Sequence, residues 1–145
     1  MLRRIHIRKA ALALVLSALV PAAFGDVVVV VSATSPVAPL SSAQVADIFL
    51  GRASYFPSGE ETIPLDLPED SSVRTEFYRE CTGKSTPQLR AYWSKLIFTG
   101  RAQPPREVAN AEAVKRYLQT RPNAIAYIER KDVDASLKVV LSLRP

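Results

Sequence analysis

The chain has 145 residues, 19 of them basic and 14 acidic, for a formal charge of +5. One cysteine (Cys81) and one histidine (His6) exclude an intrachain disulfide, a Cys-rich zinc site and a histidine triad. The positive balance suggests nucleic acid or an anionic membrane as a partner. However, Arg3, Arg4, Arg8 and Lys9 stand in the first 25 residues without an acid, leaving 15 basic against 14 acidic residues over the remaining 120. The excess therefore belongs to one short segment, and the rest of the chain is close to neutral and not of nucleic-acid-binding type.

That segment reads as a cleavable signal peptide over residues 1–25. A basic start is followed by the apolar run Ala10 to Val20, then Pro21, with small residues at Ala23 and Gly25. The run spans about 16 Å as a helix, roughly half a bilayer core, so a permanent membrane anchor is the less favoured reading. The expected mature domain is 26–145, soluble and periplasmic.

The valine run Val27 to Val31 predicts a strand buried on both faces. Ser41 with Gln44 forms a capping-box pattern for a helix whose apolar face is Val45, Ile48 and Phe49, with Gly51 as its stop. Thr62 to Asp66 reads as an edge or ragged strand because it contains Pro64. Pro68-Glu69-Asp70-Ser71 leads into a helix with Val73, Phe77 and Cys81 along one face. Ser85 or Thr86 caps the next helix, on which Leu89, Tyr92, Trp93, Leu96 and Ile97 form one apolar stripe. Arg101 to Ala109 reads as a basic, proline-rich loop. Asn110 caps a helix to Gln119, and strands follow at Ala124 to Ile128 and Leu137 to Leu143. Alternating strands and helices predict an α/β domain with a mostly parallel sheet of about four strands and helices on both faces.

Three motifs in this order resemble the phosphate-type substrate-binding proteins of ABC importers, which have a type II periplasmic-binding-protein fold. They are Asp47-Ile48-Phe49-Leu50-Gly51-Arg52, Asp70-Ser71-Ser72-Val73-Arg74 with Phe77, and Asn123-Ala124-Ile125-Ala126-Tyr127-Ile128. The resemblance implies a single binding-protein-like lobe, since that family has about twice this length and holds its anion between two lobes. It also implies an oxyanion such as phosphate at Ser71 and Ser72, with Arg74 beside them. Physically, a helix N-terminus offers free amides and a positive dipole end to an anion. The sequence departs from the family at Ser72, where the family has Gly, and at Val73, where it has Thr. Asp66, Glu69 and Asp70 bring negative charge to the same loop and oppose an anion there.

Blander readings stand beside these. Ser71 can be a plain N-cap. Asp66, Glu69 and Asp70 are solvated acids or, at unfavourable spacing, a calcium site. Cys81 is a structural thiol with no histidine to activate it. Tyr92 and Trp93 are core residues in preference to ligand-stacking ones. Arg101, Arg106, Lys115, Arg116 and Arg121 form a solvated face or a docking patch. No nucleophile–base pair, metal motif or cofactor motif assembles, so the chain reads as a non-enzyme without cofactor or metal. Two functions remain open: a solute-binding or ligand-sensing protein of the ABC-transporter type, and an interaction module that has lost its ligand and regulates an inner-membrane transporter or sensor. A homodimer that rebuilds the cleft between two chains is a third arrangement.

Overall fold

In the computed structural model of the chain, residues 25–143 are described. The expected signal peptide lies outside them, apart from Gly25.

Five strands form one sheet in the order β3-β2-β4-β1-β5. They are β1 (Val27–Ser32), β2 (Ile63–Asp66), β3 (Arg106–Glu107), β4 (Ala124–Glu129) and β5 (Leu137–Ser142). β2 runs parallel to β3 and β4, while β1 runs antiparallel to its neighbours β4 and β5. Four strands thus share one direction and only β1 opposes them. The expected mostly parallel α/β architecture is the one observed, with five strands in place of about four. The extra strand, β3, lies inside the segment read as a loop. It is two exposed polar residues long, so it carries no hydrophobic period to reveal it.

All six residues of β1 are buried, as are the first five of β4. Each fully buried valine contributes about 1.5–3 kcal/mol relative to exposure, so Val27 to Val31 anchor the centre of the core. Alternation along β4 sends Tyr127 and Ile128 to opposite faces. On the Tyr127 face, its ring stacks on Phe77 at 4.0 Å and lies 5.7 Å from Phe49. Those two rings come from α2 (Ser72–Thr82) and α1 (Ser42–Phe49).

Pro64 is not on an edge strand, contrary to the sequence expectation. β2 lies between β3 and β4, and Pro64 is paired with Ile125. Asp66 O accepts from Val108 N beyond β3, so by alternation Pro64 turns its missing N–H to the same side, where β3 has not yet begun.

The helix ends follow their local sequence. Ser41 and Gln44 form the predicted capping box, and Ser85 with Gln88 forms another at the start of α3 (Thr86–Phe98). Gly51, at φ +72, ends α1, where an added Cβ would lie 3.1 Å from Trp93 and 3.2 Å from Ala102. The stripe predicted on α3 holds only at its start. Leu89 and Trp93 are buried, but Ile97 is 56 % exposed and Phe98 is 93 % exposed. The last turn of α3 extends beyond the body that its first two turns pack against.

Candidate functional site

Pro68 O accepts from Ser71 N at 2.9 Å, closing the turn that follows β2. Ser71 then takes an extended conformation, and its Oγ accepts from Arg74 N at 3.2 Å. Across the sheet end, Asn110 Oδ1 accepts from Ala113 N at 3.0 Å and starts α4 (Ala111–Thr120). Each cap satisfies one of the amides that a helix leaves free, and the first two amides of each helix keep no intrahelical acceptor.

Both caps line one open crevice of about 320 Å³. It lies past the carboxyl ends of β2 and β4, bordered by Leu67 and Pro68 after β2 and by Ile128 and Glu129 at the end of β4. Ligands in open α/β sheets collect in this position. Two N-terminal dipole ends therefore open onto one concavity. Its walls also carry carboxylates, from Glu129 and Asp132. The sequence does not mark Asn110, Glu129 and Asp132 as site residues. Asn110 was legible as a cap, but nothing in a one-dimensional pattern sets it beside Ser71.

The three residues expected at the site part company. Ser71 lines the crevice; Ser72 is exposed and is not on its wall. Arg74 turns inward, and its Nε lies 3.3 Å from the Asp66 carboxylate. Asp66 itself is only 6 % exposed, which corrects the reading of it as a solvated acid. It accepts from Tyr78 Oη at 3.0 Å, from Leu67 N at 3.0 Å and from Tyr127 Oη. Tyr127 Oη accepts from Leu67 N at 3.1 Å in turn, and the Arg74 guanidinium lies 5.0 Å from the centre of the Tyr78 ring. The Arg74 Nη1 group is buried without a hydrogen-bond partner, so the ring face supplies its compensation. Burial, reinforced by the negative charge of Asp66, pushes both tyrosine hydroxyls well above the ordinary phenol range.

The other two acids of the loop behave differently. Glu69 pairs with Arg90, which holds its carboxyl below the usual range, and Asp70 is exposed. Because Asp66 faces inward and Glu69 faces Arg90, the three do not converge, and a calcium site does not form from them. Among the described residues, no group of three metal-ligating side chains comes together.

Cys81 is partly buried on α2, and its Sγ donates to Ser42 O at 3.5 Å. Burial raises its thiol pKa, the opposite of what activates a nucleophile. Tyr92 donates to Leu50 O at 2.6 Å and Trp93 is buried, so both are core residues as expected. The basic residues from Arg101 to Arg121 are divided among several contacts. Lys115 pairs with Glu112 and Asp134, Arg106 stacks over Tyr117, and Arg101, Arg116 and Arg121 are exposed.

The chain matches no protein-family model and no curated protein. Solved structures do resemble it. One is assigned as a phosphate ABC transporter substrate-binding protein from Clostridium perfringens, solved with bound phosphate. It is 19 % identical, with a TM-score of 0.63 over 80 % of this chain and 44 % of that one. An ABC-type phosphate transport receptor from Vibrio cholerae is 17 % identical, with a TM-score of 0.63 over 80 % of this chain and 45 % of that one. The chain therefore spans less than half the length of these neighbours. At such identities the likeness is one of fold: the domain has the architecture of a single lobe of a substrate-binding protein.

Proposed function

We propose that this chain is an exported, periplasmic solute-binding or ligand-sensing module of the substrate-binding-protein type. Its ligand side is the crevice between the first turns of α2 and α4. The observation that carries this reading is the convergence of two capped helix N-termini, at Ser71 and Asn110, on one concavity at the carboxyl ends of β2 and β4. Free amides there suit a small oxyanion such as phosphate, and the fold-level likeness to phosphate-binding proteins supports the same ligand class. Ser71 is the side chain placed to touch the ligand. Arg74 fixes the loop through Asp66, and Ser72 offers only its backbone amide. The role is binding and not catalysis, which fits a thiol that burial makes less acidic. Titration calorimetry with phosphate and sulfate tests this reading. Saturable heat that weakens in Ser71→Ala supports it, and no heat with no thermal shift at millimolar ligand defeats it.

A specific observation also favours the second reading, an interaction module that has lost its small ligand. The one arginine at the loop is already neutralised by an internal carboxylate, and Glu129 and Asp132 add negative charge to the crevice wall. Like charges at about 4–6 Å cost an incoming dianion roughly 1–4 kcal/mol each at intermediate dielectric. Crosslinking in periplasmic extracts that captures an inner-membrane transporter or sensor through crevice residues, with no oxyanion heat, would select this reading.

A further inference from the structure

A second surface stands at the opposite end of the sheet. From Cys81 to Arg106 the chain has no acidic residue and carries Lys84, Arg90, Lys95, Arg101 and Arg106. This is a strongly basic tract in a domain whose other residues after Gly25 hold 10 basic against 14 acidic side chains. It contains α3, whose final turn exposes Ile97 and Phe98, the latter almost completely. The position of this turn follows from the loop after it: Arg101 and Ala102 share a concavity with Glu61, Thr62 and Pro64, at the start of β2 and away from the crevice.

Three features of the tip act together. First, the cations on either side of the apolar pair are uncommitted. Lys95 and Arg101 are exposed, and neither makes an ion pair among the described residues. Second, the carbonyls that a helix end normally gives to water are satisfied internally. Lys95 O accepts from Thr99 N at 3.1 Å and Thr99 Oγ1 at 3.0 Å. Leu96 O accepts from Arg101 N at 3.0 Å, and Ile97 O from Gly100 N at 3.1 Å. Gly100, at φ +67, allows that closure. A tip closed in this way can leave water without stranding these polar groups. Third, the helix is packed at its base. Leu89 and Trp93 are buried, and Tyr92 is tied to Leu50 O, so α3 projects its last turn from that base.

We infer that the last turn of α3 docks the domain on an anionic bilayer surface. Ile97 and Phe98 enter the interface, and Lys95 and Arg101 meet the lipid headgroups. A convex pair of apolar side chains between unpaired cations has the chemistry of an interfacial anchor. This orientation turns the crevice, with Glu129 and Asp132, away from the lipid. The inference does not depend on whether the crevice binds an ion.

The test uses Phe98→Trp in the full chain, with vesicles of phosphatidylethanolamine and phosphatidylglycerol against pure phosphatidylcholine, each with and without brominated acyl chains. The buried Trp93 supplies an internal control. Blue-shifted emission quenched by brominated anionic vesicles is expected, and adding Lys95→Glu and Arg101→Glu should weaken vesicle binding by about tenfold or more. Because position 98 reports its own depth, binding through any other part of the chain leaves it unquenched and overturns the inference. Capture of a membrane protein by a photo-crosslinking residue at position 98, without quenching by lipid, overturns it in favour of a protein socket.

Discussion

Arg74 and Asp66 form a buried ion pair directly beneath the loop that opens the crevice, with Nε 3.3 Å from the carboxylate and each side chain about one-tenth exposed. The guanidinium that the sequence offers to an external anion is held by an internal one. The pair links the end of β2 to the first turn of α2, and so sets where Ser71 points.

Removing one partner should therefore be costly. Asp66→Ala strands a buried guanidinium and leaves two tyrosine hydroxyls without their acceptor. We expect a loss of about 3–5 kcal/mol in urea unfolding. A loss below about 1 kcal/mol would show that the network adds little to stability.

Alkaline pH should act through the same cluster. The hydroxyls of Tyr78 and Tyr127 have folded pKa values raised well above 10. Their contribution is fully present below the unfolded value of about 10 and is lost as pH rises above it, because the unfolded chain releases those protons first. Stability should fall steeply above about pH 10, with the absorbance of these two tyrosinates rising together with unfolding. In Tyr78→Phe, one of them should vanish from that cooperative step.

The helix caps make separable contributions. Ser71→Ala and Asn110→Ala should each cost about 1 kcal/mol by removing the acceptor for one first-turn amide. If the crevice binds an oxyanion, Ser71→Ala also weakens it, whereas a pure cap changes the melting temperature alone.

Gly51 is bound by both conformation and space. Gly51→Ala puts a Cβ into a left-handed position that already lies against Trp93 and Ala102. A loss of about 1–3 kcal/mol is expected from the backbone alone, measured by thermal unfolding.

Cys81 should behave as a sheltered thiol. Its raised pKa and partial burial predict slower alkylation at pH 8 than in the unfolded chain, with full reactivity restored by denaturant. Reaction as fast in the folded state would contradict the burial.

Much of the fold was legible because local chemistry and tertiary packing agree. The five valines of β1, the box at Ser41 and Gln44, the cap at Ser71 and the stop at Gly51 each carry their cause within a few residues. What escaped depends on partners distant in sequence. β3 exists only because Arg106 and Glu107 lie beside Leu65 and Asp66. Pro64 is tolerated inside the sheet because its neighbour is short. Asp66 looked like a surface acid because the tyrosine that buries it most directly, Tyr127, is 61 residues away. The apolar spacing on α3 suggested a continuous stripe, but periodicity cannot tell where a helix outruns the body beneath it. At the site, Ser71 is legible through the resemblance at Asp70 to Arg74, while its opposite number Asn110 is joined to it only across the crevice.

The sheet's two margins bear on how copies of this domain can meet. On one side β3 offers only two residues, and beside it Pro64 has no N–H to donate. On the other, the pairing of β5 with β1 shifts register between Val139 and Leu141, and Val140 O is already occupied by Leu40 N at 2.9 Å. The β3 margin presents no long ladder of vacant groups, and the β5 margin is interrupted at Val140, so both hinder strand-to-strand joining of two sheets. These interruptions favour the helices or the crevice over the sheet edges as the contact in a homodimer of this lobe.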